Sequence, residues 1–235
     1  IYRLTAASGI VNGIRTSLGN TSIYNNDIYN LTNNTAATTA ASVNGITIAS
    51  GNPVYVYNNF ISDLKAPLSA GTDAIRGINI TSTTASSVVG LYHNSIYLNA
   101  SSTGANFGSS GVFHSSNATA TTASLDMRNN IIVNTSTPSG TGLTVAYRRS
   151  STILTNYNSA SSNNDFFAGT PSASNLIFSD GTNFDSTITD YKTRVSPRDA
   201  ASFSENPPFE DITTAPFDLH LKTTVPTQIE SGGVP

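Results

Sequence analysis

Tyr24-Asn25-Asn26-Asp27-Ile28 returns along the chain as Tyr57-Asn58-Asn59-Phe60-Ile61, Tyr92-His93-Asn94-Ser95-Ile96 and Arg128-Asn129-Asn130-Ile131-Ile132. The copies are 33, 35 and 36 residues apart, and a fainter one, Thr155-Asn156-Tyr157, follows 27 residues later. A period of 20–50 residues is the mark of a solenoid, in which one structural unit stacks on the next. Apolar residues stand two before the first Asn position (Ile23, Val56, Leu91, Met127, Leu154) and three after it (Ile28, Ile61, Ile96, Ile132). Side chains five apart cannot share one face of a flat strand, whose period is two, so the Asn must mark a corner. Asparagine suits one, because it tolerates left-handed backbone and its amide bonds nearby peptide groups.

A second repeat interleaves with the first. Gly13, Gly45, Gly77, Gly111 and Gly142 recur at intervals of 32, 32, 34 and 31, each followed by an aliphatic residue. Two positions beyond that residue the chain is again mostly apolar, as period-two alternation requires of a strand with one buried face. Stacking turns both repeats into columns about 4.8 Å apart. The expectation is a structural ladder in which Asn25, Asn58, His93, Asn129 and Asn156 bond one another, with the glycines at tight corners.

Composition agrees with a repeat fold. Hydrophobic residues are 37% and charged residues only 11%, the balance being small polar residues including 26 Asn. Disordered low-complexity sequence does not hold Ile, Val and Tyr at fixed offsets from Asn and Gly. With no Cys, there is neither a disulfide nor a thiolate metal site. No apolar run approaches a membrane span, so membrane insertion is not expected. The net charge of −3 divides into an N-terminal part slightly rich in Lys and Arg and an acidic C-terminal part, with no dense basic stripe for nucleic acid. Ile1-Tyr2-Arg3-Leu4-Thr5 reads as a strand without a signal-peptide pattern, and is taken as a start inside a longer repeat array.

After Asp165 the texture changes. Residues 185–195 read as one short helix with Ile188, Tyr191 and Val195 on one face, a cap at Asp185 or Thr187, and Pro197 as its stop. The domain is therefore divided into coils over 1–165, and a last coil, short helix and C-terminal cap over 166–235. The YNN-x-I coils, followed by Asn206-Pro207-Pro208-Phe209, Asp218-Leu219-His220-Leu221 and Pro226-x-x-Ile229-x-x-Gly232, resemble the parallel β-helix regions of large secreted bacterial surface proteins, pectate-lyase-like in fold. The resemblance implies an all-β, right-handed parallel β-helix of about five to six coils. It also implies export and an extracellular or bacterial cell-surface location.

Chemistry is harder to find. β-Helix lyases and hydrolases act through carboxylates, but Asp27 and Asp63 stand three residues out of register, roughly 11 Å apart on straight strands. Glycosidase pairs need about 5–9.5 Å. Asp126 and Arg128 are spaced to pair with each other. Asp180, Asn183 and Asp185 offer oxygen ligands to Ca²⁺, though a turn leading into a helix cap accounts for the same pattern. The informative exposed feature is the column Tyr24, Tyr57, Tyr92 and Arg128, which reads either as packing or as an aromatic platform for a glycan or a neighbouring surface protein. The sequence thus favours a non-enzymatic structural or adhesive module of a longer secreted or surface protein, such as a stalk, adhesin or filament component. The alternative is a polysaccharide lyase or glycoside hydrolase acting on an acidic glycan.

Overall fold

The computed structural model describes residues 1–36, 42–84, 87–119 and 123–233. It is a parallel β-solenoid of about five turns. Strand β1 (Tyr2–Ala6) precedes the first full coil, which is β2 (Ile10–Thr16), β3 (Thr21–Tyr24) and β4 (Asp27–Asn33). The second coil is β5 (Ser42–Ile48), β6 (Val54–Tyr57) and β7 (Phe60–Ser62), with the short β8 (Leu64–Lys65). The third is β9 (Ile75–Ile80), β10 (Val88–Tyr92) and β11 (Ser95–Leu98), and the fourth is β12 (Ser109–His114), β13 (Ser124–Arg128) and β14 (Ile131–Asn134). The fifth opens with β15 (Thr144–Arg149) and reaches β16 (Asp165–Phe167), after which β17 (Asn175–Ser179) stacks on β15.

Three parallel sheets result. The first runs β2-β5-β9-β12-β15-β17, the second β3-β6-β10-β13, and the third β1-β4-β7-β11-β14-β16. The corner between the second and third sheets carries the Asn repeat, and the hydrogen-bonded column lies one residue later than the sequence suggests. Asn25, Asn58, His93 and Asn129 have φ of 54–57°. They make the left-handed step that turns the chain, which sends their side chains away from the ladder. The next residue forms the ladder: Nδ2 of Asn26, Asn59, Asn94 and Asn130 donates to Oδ1 of Asn59, Asn94, Asn130 and Asn164, at 2.9 Å each time. Each Oδ1 also accepts the backbone N–H of the preceding rung's Asn, at 3.1–3.2 Å. The fifth corner is Asn163 (φ 60°) with Asn164, not Asn156.

The glycine column is corrected in a similar way. Gly13, Gly45, Gly77 and Gly111 lie inside β2, β5, β9 and β12, with no positive φ. Their lack of Cβ matters because of what faces them across the core. A methyl there would sit 2.4–2.7 Å from Cγ2 of Ile28, Ile61, Ile96 and Ile132, and as close to the backbone of the next rung. The glycines of one repeat therefore make room for the isoleucines of the other. Gly142 is not in this column: Ser110 pairs with Val145 and Val112 with Tyr147, which puts Ala146 opposite Gly111.

Inside, Val, Ile and Leu fill the first coils, and aromatic side chains fill the last. Helix α1 (Ile188–Val195), capped by Thr187, closes that end by burying Tyr191 and Val195 against Tyr147, Phe166 and Phe178. The inward column Thr16, Ile48, Ile80 ends in two buried polar residues, His114 and Arg149. Arg149 donates to Nδ1 of His114 (2.7 Å), Tyr147 Oη (3.0 Å), Ile153 O and Asn156 Oδ1 (both 2.6 Å). With Nδ1 accepting, the Nε2–H of His114 points to Ala123 O at 2.9 Å. Burial, and then the charge of Arg149, push this imidazole down to about 3. It is therefore neutral in the folded protein.

The C-terminal segment was expected to close the end of the helix. That task falls to α1, after the short β18 (Phe184–Asp185) has paired back on β17. Strands β19 (Phe209–Asp211) and β20 (Asp218–Leu221) form an antiparallel pair, and α2 (Ile229–Gly232) follows. The pair lies along the outer surface of the third sheet, where Phe209, Phe217 and Leu219 pack on Tyr97 and Val133. Phe60, Ile131 and Phe167 extend that contact, so the segment crosses several coils sideways.

Two pairs of variants separate ladder from corner and test the glycine–isoleucine fit. Asn59→Ala removes donors and acceptors bonded to Asn26, Asn94, Ile23 and Tyr57; it is expected to cost about 3 kcal/mol in urea denaturation, whereas Asn58→Gly is expected to cost less than about 0.5 kcal/mol. Gly45→Ala is expected to cost about 1–3 kcal/mol by overpacking, and Gly45→Ala combined with Ile61→Ala to cost clearly less than the sum of the two single changes.

Candidate functional site

The outward face of the second sheet carries two columns in register. Tyr24, Tyr57, Tyr92 and Arg128 form one, and Ser22, Tyr55, Gly90 and Asp126 the other. Strand alternation puts both outside, because Ile23, Val56, Leu91 and Met127 between them are buried. The rings of Tyr24 and Tyr57 stack in parallel, 5.0 Å apart and 1° from coplanar, and Tyr24 is 50% exposed. Tyr92 does not continue this stack. Its ring bends across Gly90, where a side chain would lie 2.6 Å from it, and stacks on Tyr55 at 6.4 Å. Its hydroxyl donates to Asp126 at 3.1 Å.

Asp126 is also held by Arg128, through Nε at 2.9 Å and Nη2 at 2.7 Å. Burial and the Asp126 carboxylate push the Tyr92 hydroxyl up to about 12, so it remains a donor. The face is thus a pair of stacked aromatic steps bordered by an ion pair. Tyr55 and Gly90 were not singled out from the sequence. Both alternate with the Tyr column at two-residue spacing, which is the signal that finds them.

The left-handed corner residues border this face. Asn25, Asn58 and His93 are exposed, and Asn129 and Asn163 half-buried. Two cavities open along the corner on the side of the third sheet. One, of about 260 Å³, is lined by Asn25, Asn26, Asp27, Asn58, Phe60 and His220. The other, of about 220 Å³, lies among His93, Ser95, Asn129, Asn163, Asp165 and Phe203, with Gly232 at its rim. The C-terminal segment forms the far wall of both. Asn163 Nδ2 donates to Gly232 O at 2.6 Å and fixes that wall.

Asp165 occupies the register position of Ile131 and Ser95, which points out of the third sheet. It is nevertheless only 1% exposed, because the C-terminal segment covers it. Its Oδ1 accepts the backbone N–H of Glu205 at 2.8 Å. Among the described residues its Oδ2 has no hydrogen-bond partner, a situation that costs about 1–3 kcal/mol for a buried polar atom. Burial, with the Glu205 charge adding to it, pushes the carboxyl up to about 8. Asn163-Asn164-Asp165 matches Asn25-Asn26-Asp27 and lies 34 residues after Asn129, but the fifth copy is read from the sequence at Thr155-Asn156-Tyr157 instead. The sequence could not show that a distant segment would bury this acid.

Asp63, Asp73, Asp180 and Asp185 have local partners. Asp63 is buried and paired with Lys65 at 2.6 Å. Asp180 accepts the N–H groups of Thr182 and Asn183 and the Asn183 amide, and Asp185 holds Arg194. Asp73 lies on the outward face of the first sheet beside Arg76 (2.8 Å), Ser110 and Arg148. No group of three His, Cys, Asp or Glu suited to a metal ion occurs among the described residues. Among the described residues no helix is long and apolar enough to cross a membrane. Comparison of the chain with protein-family models, curated proteins and solved structures finds no match.

The acid has a consequence for stability. An unfolded Asp titrates near 3.8 and the folded Asp165 near 8, so folding takes up a proton between those values. The stabilisation from this proton uptake is full below about pH 4 and is lost as pH rises through about 8. Melting curves from pH 4 to 8 are expected to show Asp165→Asn losing less stability over that range than the native sequence, and to be the more stable of the two at pH 8.

Proposed function

We propose that this solenoid is a rigid, non-enzymatic structural or adhesive module of a longer secreted or bacterial cell-surface protein, and that it contacts glycans through the Tyr24–Tyr57–Tyr55 face. The observation that carries the reading is the parallel, half-exposed Tyr24–Tyr57 stack on a flat sheet. Such a stack, already ordered before binding, presents ring edges and hydroxyls and the outer part of the half-exposed Tyr24, so little side-chain entropy is lost on contact. Tyr hydroxyls and the Asp126–Arg128 pair at the border supply hydrogen-bonding groups for ring hydroxyls. A neighbouring surface protein would use the same rings, and the binding experiment distinguishes the two.

A second reading has one observation in its favour. Asp73, Arg76, Ser110 and Arg148 converge on the outer face of the first sheet, with the Arg76 guanidinium 3.9 Å from the centre of the Phe113 ring. Two arginines beside a carboxylate suit an acidic glycan, as a lyase or hydrolase would require. Turnover of polygalacturonate by the isolated chain, lost in Asp73→Asn, would establish that enzyme in place of a binding module.

Glycan arrays probed with the intact chain and with Tyr57→Ala test the first reading. Binding by the intact chain is expected, weakened about tenfold or more in the variant, with a melting temperature within about 2 °C of the original. Absence of binding by the intact chain, together with a large melting loss in Tyr57→Ala, would make the tyrosines packing residues only.

A further inference from the structure

We propose that the cleft between the left-handed corner residues His93 and Asn163 and the C-terminal segment is a binding site for one neutral hydroxylated ring, a single pyranose. This shares with the preceding section the premise that the ligand is a sugar, but it concerns different residues and a different size of ligand.

Three observations carry it. First, a half-open cleft of about 220 Å³ lies between the corner and the wall fixed by the bond from Asn163 to Gly232. At roughly 30 Å³ for each water, that is space for about seven, the room of one sugar ring and not of a chain. Second, Asp165 lines it, buried, with Oδ2 lacking any partner among the described residues while Oδ1 is held by Glu205 N–H. Oδ2 has under 1 Å² of accessible surface, so a ligand group reaches it with a small shift of the cleft wall and then supplies the bond that the protein does not.

Third, the lining fits a sugar better than an ion. It combines the hydroxyl of Ser95, the imidazole of His93 and the Asn163 amide with the apolar Phe203 ring, and neither Lys nor Arg lines it. An anion would lack a counter-charge. A divalent cation would find one carboxyl, and that one, displaced upward to about 8, stays protonated near neutral pH. In that form Oδ2 carries a hydrogen and donates to a ring oxygen or hydroxyl, while His93 and Ser95 are placed to exchange further hydrogen bonds. Mixed donors and acceptors beside an apolar face are what a pyranose presents in return.

The test uses the full 235-residue chain, isotope-labelled, titrated with D-glucose, D-galactose, D-mannose and N-acetyl-D-glucosamine to about 50 mM, since single sugars of this kind are held with millimolar Kd. At least one sugar is expected to shift the backbone amides of Ser95 and Gly232. Asp165→Ala is expected to weaken that response about tenfold. Asp165→Asn keeps an acceptor for Glu205 N–H and a donor toward the cleft, and is expected to retain binding. That rescue separates a role in binding from a role in folding. Equal binding by Asp165→Ala overturns the proposal, as do shifts of the same amides by CaCl2 without sugar, which would mark a cation site.

If no sugar moves Ser95 or Gly232 while glycan chains still bind in a Tyr57-dependent way, the cleft proposal fails and the aromatic face stands. If a sugar moves them and no glycan chain binds the Tyr face, the reverse holds.

Discussion

The amide ladder at one corner fixes much of the rest. An interior member such as Asn59 bonds the side chain above, the side chain and backbone N–H below, and carbonyls of its own corner and the rung below. No other residue type offers a short side chain with donor and acceptor at that reach. The bonds all run one way, N–H groups toward the C-terminal end, and the last donor, Asn164, meets Oδ1 of Asp199 at 3.0 Å. Aligned amide dipoles leave a positive end, and a carboxyl there completes the column as anions complete a helix N-terminus. Asp199 also receives Ser202 and the hydroxyls of Tyr157 and Tyr191, so the ladder joins the aromatic plug at the closed end.

The ladder also decides what faces outward. To aim one Asn inward, the residue before it must take left-handed backbone, which throws that residue's side chain into solvent. The residue before that one, two removed from the ladder, falls on the outer face of the second sheet. Tyr57, Asn58 and Asn59 are therefore three consecutive residues with three destinations: aromatic face, corner and buried ladder. The Tyr column and the corner clefts are neighbours because one backbone turn makes both. Across the core, the same turn places Ile61 against the second repeat, which answers with Gly45. The two repeats are thus one packing unit read from two sides.

This explains what the sequence disclosed and what it withheld. Period, strand alternation and the helix near Tyr191 depend on spacing, which is visible in one dimension. The one-residue displacement of the ladder was hidden because Asn58 and Asn59 are the same residue type, each suited to either role. Glycine at a corner and glycine under an isoleucine are likewise indistinguishable without the opposite wall. Gly142 was misplaced because a nearby glycine is an easier match than Ala146, although Val145-Ala146-Tyr147 keeps the alternation. The burial of Asp165 was least legible of all, since it is produced by residues some forty positions later.

Those buried polar groups are distributed unevenly. In the first coils the interior is aliphatic apart from the amide ladder, and tyrosines stand on the outer face of the second sheet. Toward the closed end His114, Arg149, Asn156 and Asp199 enter the interior with aromatic partners, and Asp165 is covered from outside. A repeat can tolerate such groups only where the stacking sequence is interrupted, because a buried charge copied on every rung would repel its neighbours at about 5 Å. Departures from the repeat are therefore where individual chemistry can reside. The two features proposed for binding obey this rule in different degrees. The Tyr face repeats over successive rungs and suits an extended, repetitive ligand, while the Asp165 cleft occurs once and suits a single ring. Under the two proposals, a face and a cleft beside the same corner would set a rigid distance between an extended chain and a terminal or branching sugar that it carries.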